Sequence, residues 1–156
     1  MGLDMYLKRK TYCRATEEMK SNGNLTLKGS DTEIKVNAKK LSRIVIEEDV
    51  AYWRKANRIH NWFDKQTETG LANCQEFAFS FDTLMELRED CKQVLAEKDL
   101  AEKLLPTCEG FFFGESDYDE YYFEALEETV DIIDKLEKEE AEYGEDGCQY
   151  SYNAWW

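Results

Sequence analysis

Polar and apolar positions alternate at the start of the chain. In GLDMYLKRKTY, Leu3, Met5 and Leu7 fall on one side and Asp4, Tyr6 and Lys8 on the other, the period-two pattern of a half-buried strand. NLTLKGSDTEIKV holds two short β-like runs about Gly29, Ser30 and Asp31, a hairpin signal whose polarity makes it a surface excursion around residues 22–37. RIVIEE reads two ways. Its three β-branched residues favour a strand, while Leu41, Ile44, Glu48 and Tyr52 fit a helix running on into the next segment. EDVAYWRKANRIHNWFDKQ, residues 48–66, predicts a helix. Tyr52, Ala56, Ile59 and Phe63 form its apolar stripe, and Trp53, Asn57 and His60 an adjacent, more polar one.

QEFAFS predicts a short strand with Phe77, Phe79 and Phe81 in alternation. Ser80 or Asp82 then caps a helix that turns Leu84, Leu87, Cys91, Val94 and Leu95 inward. LAEKLLPT adds another helical turn or two, stopped by Pro106. In GFFFGESDYDEYYFE, Ser116 and Asp119 have the spacing of a capping box, which starts the last helix near Asp117. Tyr118, Tyr122, Leu126, Thr129, Ile133 and Leu136 continue as its buried stripe to about Glu142. Successive strand residues point to opposite faces, so Phe111, Phe112 and Phe113 cannot all be buried, and Phe112 is left for another surface or a ligand. CQYSYNAWW alternates again and predicts a last strand, paired antiparallel with the first. The expected fold class is α+β: a small antiparallel sheet, with N- and C-terminal strands paired, packed against three main helices in a single domain over residues 1–156.

A chain of 156 residues with 42% apolar and 13% aromatic residues, one proline and eight glycines can bury a real core and lies far from a disordered composition. No apolar run approaches the ~20 residues that span a bilayer, so no membrane segment is expected. The N-terminus has no secretory hydrophobic region, and Tyr6 stands where a myristoylation signal wants Ser or Thr. Five cysteines without a C-x-x-C read as reduced thiols of a cytoplasmic protein, and no zinc-ligand spacing joins them to His60. The net charge of −14 is unevenly placed. Residues 1–62 carry 13 basic and 8 acidic residues, a net of +5; residues 63–156 carry 7 and 26, a net of −19. The second half repels nucleic acid, so direct nucleic-acid binding is not expected, whereas a partner with a basic surface is favoured.

Three constellations carry candidate chemistry. Trp53, Asn57 and His60, at i, i+4 and i+7, share a helix face, and with Arg54 and Arg58 nearby they can line a pocket for a planar, anionic ligand such as a nucleotide. Phe112 and Tyr118 are further candidates for that pocket. The other reading of the same residues is a helix packed under the sheet, with Asn57 and His60 satisfying loop backbone. The second constellation is the GFFFG loop with Asn73 and Cys74, where glycines permit close approach of a ligand; a tight aromatic core corner is the alternative. The third is an acidic ridge. Glu120, Glu124, Glu127, Asp131 and Asp134 recur along the last helix, in a stretch, 115–146, with 15 acids and only Lys135 and Lys138. Their spacing of ~5–6 Å, about one helical turn, is close to that of phosphates along a nucleic-acid strand. Such a ridge can occupy a partner's nucleic-acid groove by imitation; a solvated helix face is its plain alternative. No P-loop, nucleophile motif or paired-carboxylate signature occurs, and no enzymatic activity or cofactor is expected.

MGLDMYL, AYWRKANRIHNWF, GLANC, LLPTCEGFFFG and YDEYYFEALEET together resemble a family of small proteins common in phages, prophages and gut bacteria. The motifs run from Met1 to about Leu136, and residues 22–37 look like the variable part. The resemblance implies a mobile-element accessory protein in a bacterial host cell and no particular reaction. Joined to the acidic ridge, it gives the expected function: binding and inhibition of a host defence or nucleic-acid-handling protein. The alternative is the binding or sequestering of a nucleotide-like small molecule.

Overall fold

A computed structural model of the chain describes residues 2–21, 23–28, 33–72, 74–110, 117–143 and 148–156. Among these residues six strands and five α-helices follow in the order β1 (Asp4–Arg14), α1 (Glu17–Ser21), β2 (Asn24–Lys28), β3 (Glu33–Asn37), β4 (Arg43–Arg54), α2 (Asn57–Lys65), β5 (Phe77–Phe79), α3 (Phe81–Ala96), α4 (Ala101–Leu104), α5 (Glu120–Tyr143) and β6 (Cys148–Trp155). The architecture is α+β. Four antiparallel strands form a sheet in the order β4-β1-β6-β5, and the first and last strands pair along most of their length, from Asp4 opposite Trp155 to Thr11 opposite Cys148. β2 and β3 pair antiparallel as a separate two-stranded sheet; the expected turn at Gly29, Ser30 and Asp31 lies outside the described residues.

The alternation of β1 sets which face is covered. Met5, Leu7 and Arg9 are buried, and their neighbours on β6, Ala154, Tyr152 and Tyr150, are buried with them. Ile59 and Phe63 from α2, Leu84, Leu87, Cys91 and Val94 from α3, and Tyr122, Leu126, Ile133 and Leu136 from α5 complete one continuous core. On the other face Tyr6, Tyr52 and Trp155 lie side by side across three strands, with ring centroids 5.2 Å and 6.3 Å apart. Polar bonds tie the layers. The Trp53 indole N–H donates to Thr129 Oγ1 at 3.0 Å, and the buried Arg9 reaches Glu48 at 3.1 Å and Glu139 at 2.9 Å. Burial alone would weaken the Arg9 charge, but its bonds to Glu48 and Glu139 hold its pKa above the ordinary value. Arg88 on α3 holds Asp134 and Glu137 of α5 at 2.8 Å and 2.6 Å. Among the described residues no helix is long and apolar enough to cross a membrane.

Three expectations are corrected. The helix over residues 48–66 is a strand followed by a shorter helix: β4 runs to Arg54 and α2 begins only at Asn57. Tyr52 is therefore on the open sheet face, 46% exposed, rather than in the core. Tyr52 stands opposite Tyr6 on that face, and the misleading repeat comes from a β-bulge further back in β4. Leu7 pairs Ala51 and Lys8 pairs Asp49, which leaves Val50 without an opposite residue and shifts the alternation of β4 by one. Before the shift Trp53 and Ala51 stand opposite the buried Met5 and Leu7; after it Glu48 stands opposite Arg9. Phe81 is the first residue of α3 rather than a strand residue, and Ser80 takes the cap position. α5 starts at Glu120, because the Asp119 carboxylate accepts the Tyr122 N–H at 3.0 Å and acts as the cap. Tyr118 thus precedes the helix, half-buried against the Tyr122 ring at 4.9 Å. Ser116, expected to cap, lies outside the described residues.

β6 lies between β1 and β5, so its loss unpairs both neighbours and strips Tyr150, Tyr152 and Ala154 from the core. Deletion of Tyr150–Trp156 is expected to remove several kcal/mol, near the whole ~5–15 kcal/mol stability of a typical domain. A truncated chain that melts at the parent temperature in circular dichroism would refute this arrangement.

Candidate functional site

The chain turns from β4 into α2 over two residues. Lys55 takes φ +56°, a left-handed backbone that costs a non-glycine residue on the order of 1 kcal/mol. It is held there by the bond from its own N–H to the Leu3 carbonyl, 2.8 Å. Ala56 is the cap residue of α2 and has no side-chain acceptor to offer the first turn. This junction places the residues of the first sequence constellation, and it separates them.

Trp53 is 2% exposed on the covered face of β4, bonded to Thr129. Asn57 is fully buried at the start of α2. His60 is 4% exposed; its Nδ1 and the Tyr152 hydroxyl share a hydrogen bond of 2.8 Å, and its ring meets the edge of Trp156 at 5.1 Å. The three do not form one helical face, and each is part of the interior. Burial pushes the His60 imidazole below its ordinary value, with Asp64 opposing weakly, and pushes the Tyr152 phenol well above its own. Of the other pocket candidates, Arg54 is exposed, Tyr118 is half-buried and Phe112 lies outside the described residues. So does Asn73. Cys74, also left-handed at φ +64°, is exposed and donates its backbone N–H to the Ala154 carbonyl at 2.9 Å.

A groove of about 570 Å³ does open beside this junction. Arg54, Lys55 and Arg58 line one wall. The opposite wall comes from the start of α5 and includes Asp119, Tyr121, Glu124 and Glu128. Arg58 is 6% exposed; its Nη2 donates to the Tyr121 carbonyl at 2.7 Å, and its guanidinium sits 5.0 Å over the Tyr122 ring. Burial lowers its pKa, and Tyr122 and Asp119 offset this only in part.

The acidic ridge divides into two halves. Glu120, Glu124, Glu127 and Asp131 are exposed, and none pairs with a cation among the described residues. Asp134 belongs to the second half. It holds Arg88 at 2.8 Å and Lys92 at 3.6 Å. Glu139 holds Arg9, and Glu140 accepts the Tyr150 hydroxyl at 2.8 Å. Sequence reasoning missed Tyr121, which stands 74% exposed among the unpaired acids. Its helical position was the available signal: it falls between the inward stripe of Tyr122 and Leu126 and the outward stripe of Glu120 and Glu124. Sequence reasoning also missed Arg9 as a buried bridge, because the basic run Lys8, Arg9 and Lys10 gives no sign of which member turns inward or which carboxylates will reach it.

No protein-family model, no curated protein and no solved structure matches this chain.

The geometry of His60 gives a pH test. The neutral ring is favoured in the fold, so the unfolded chain takes up the proton first as pH falls. His60 therefore contributes stability that is complete above about pH 6.5 and is lost as pH falls through its lower folded value. Thermal melts between about pH 7 and pH 5 should show the melting temperature falling faster in the parent than in His60→Asn, which should start lower at neutral pH. Parallel pH slopes in the two proteins would remove the buried neutral histidine.

Proposed function

We propose that this protein is a non-enzymatic binding protein of the phage accessory kind, which docks on a basic surface of a host defence or nucleic-acid-handling protein and inhibits it. The observation that carries this reading is the asymmetry of α5. Its second half spends its carboxylates on Arg88, Arg9 and Tyr150, while Glu120, Glu124, Glu127 and Asp131 are left to solvent. These four repeat at intervals of four, three and four residues, about 4.5–6 Å along the axis, in one stripe. A cationic groove that normally holds a phosphate backbone would meet them as a row of charges. Tyr121 stands beside them as an exposed ring suited to an arginine-rich partner, which contacts both carboxylate and aromatic groups. The bacterial setting and the inhibitory role rest on the resemblance carried by the sequence motifs.

Ridge and core sit on opposite sides of one helix, so they can be tested apart. Replacing Glu120, Glu124, Glu127 and Asp131 by Lys raises the net charge by eight units, from −14 to −6. The melting temperature should change little or rise as self-repulsion falls. Association with a partner recovered from bacterial lysate should slow sharply, and the parent's own association should weaken steeply with salt. Tyr122→Ala should instead cost about 3 kcal/mol or more, because the fully buried ring also donates its hydroxyl to the Leu105 carbonyl. A four-lysine variant that captures its partner at the parent rate would end the docking reading.

A further inference from the structure

We propose that the groove between the β4–α2 junction and the start of α5 binds a small dipolar ligand, with a phosphate at one end and a planar, amino-bearing ring at the other: the chemistry of a nucleoside monophosphate. This goes beyond the docking reading and needs no protein partner.

Three arginines, Arg9, Arg58 and Arg88, sit largely below the surface. Arg9 is neutralised by Glu48 and Glu139, and Arg88 by Asp134 and Glu137. Arg58 has no such carboxylate among the described residues. Its Nη2 donates to the Tyr121 carbonyl, and its Nε is buried without a hydrogen-bond partner among those residues. A buried cation without a carboxylate partner is expensive, and an anion in the groove would supply the counter-charge. The surroundings suit that anion. Arg54 and Lys55 line the same wall, and both are exposed. The first turn of α2 begins beside them, with no side chain of its own cap residue bonded to it, and a helix N-terminus favours negative charge. A guanidinium also presents the forked donors that phosphate oxygens accept.

The other wall decides what the rest of the ligand carries. Glu124 and Glu128 line it without a cation among the described residues, and both accept hydrogen bonds from exocyclic amino groups. The exposed Tyr121 ring gives a flat surface for a base. About 570 Å³ lies within the ordinary range of small-molecule sites. Asp117 and Asp119 also line the groove, and their charge argues against longer phosphate chains at the cationic end. The inferred order of preference is therefore monophosphate over triphosphate, and amino-bearing base over uracil.

Titration calorimetry on the purified full chain tests this directly, using AMP, CMP, UMP, ATP, adenosine and inorganic phosphate as separate probes. AMP and CMP should saturate the protein. Adenosine and inorganic phosphate should each bind about tenfold or more weakly than AMP, since each lacks one end of the ligand. R54E/K55E changes two exposed side chains and should weaken AMP by a similar factor while the melting temperature holds. Should that variant melt early, R54Q/K55Q replaces it. E124Q/E128Q should narrow the gap between AMP and UMP. Three results would each overturn the proposal. One is that no monophosphate binds at millimolar concentration. The second is AMP affinity unchanged in the folded charge variant. The third is inorganic phosphate binding as tightly as AMP, which would mean an adventitious ion only.

Discussion

Parity is the constraint on which this molecule rests. A strand buried on one face must keep its apolar residues in step with those of its neighbours, because a slip of one residue turns every side chain over. β1 sets the step with Met5 and Leu7, β6 answers with Ala154 and Tyr152, and β4 answers with Trp53 and Ala51. The helices then have a single apolar surface to cover. β4 keeps this agreement for only part of its length before the extra residue at Val50 shifts its phase. That shift puts Glu48 opposite Arg9, where the carboxylate meets the buried guanidinium. The bulge thus helps to place a neutralising charge where the core gives way to the polar end of the sheet.

Charge is distributed by the same logic. An acidic chain has more carboxylates than its interior cations can absorb, and α5 shows where the surplus goes. Its far half faces Arg9 and Arg88 and is used in holding the layers together. Its near half has Arg58 close by, yet that guanidinium turns to a backbone carbonyl and a tyrosine ring instead. The result is a face with unspent negative charge beside a buried, under-partnered positive one. The docking reading draws on the first and the ligand reading on the second. They share Tyr121 and Glu124, so occupation of the groove and engagement of the ridge are coupled.

Elements with one sustained period were legible in the sequence. β1 alternates from Asp4 to Lys8 and β6 from Cys148 to Ala154. The stripe from Tyr122 to Leu136 keeps helical spacing through four turns, and all of its members are buried. β4 was not legible because its bulge mixes two strand phases. Ile44, Glu48 and Tyr52 then mimic a helical repeat and join smoothly to the true helix that follows. The site was half legible for a related reason. The sequence pointed to the right neighbourhood, with Arg54 and Arg58, but selected Trp53, Asn57 and His60 because a helix would have aligned them. Three-dimensional placement sends those three to Thr129, the core and Tyr152. Whether a cation will be buried without a carboxylate depends on elements far apart in the chain, and no local pattern records it.

The ladder between β1 and β6 also bears on how the protein is made. It joins Asp4 to Trp155, so the sheet contains contacts of very long sequence separation, and such contacts slow folding because a large loop must close before they form. As the chain leaves the ribosome, β1 and β4 can meet first, and α2 and α3 can gather on them. Their covered face stays unfinished until β6 emerges and brings Tyr150 and Tyr152. During synthesis the nascent protein therefore holds an exposed strand edge and an open aromatic core at the same time. A chaperone that recognises such surfaces would find its substrate here in the unfinished chain rather than in the mature one.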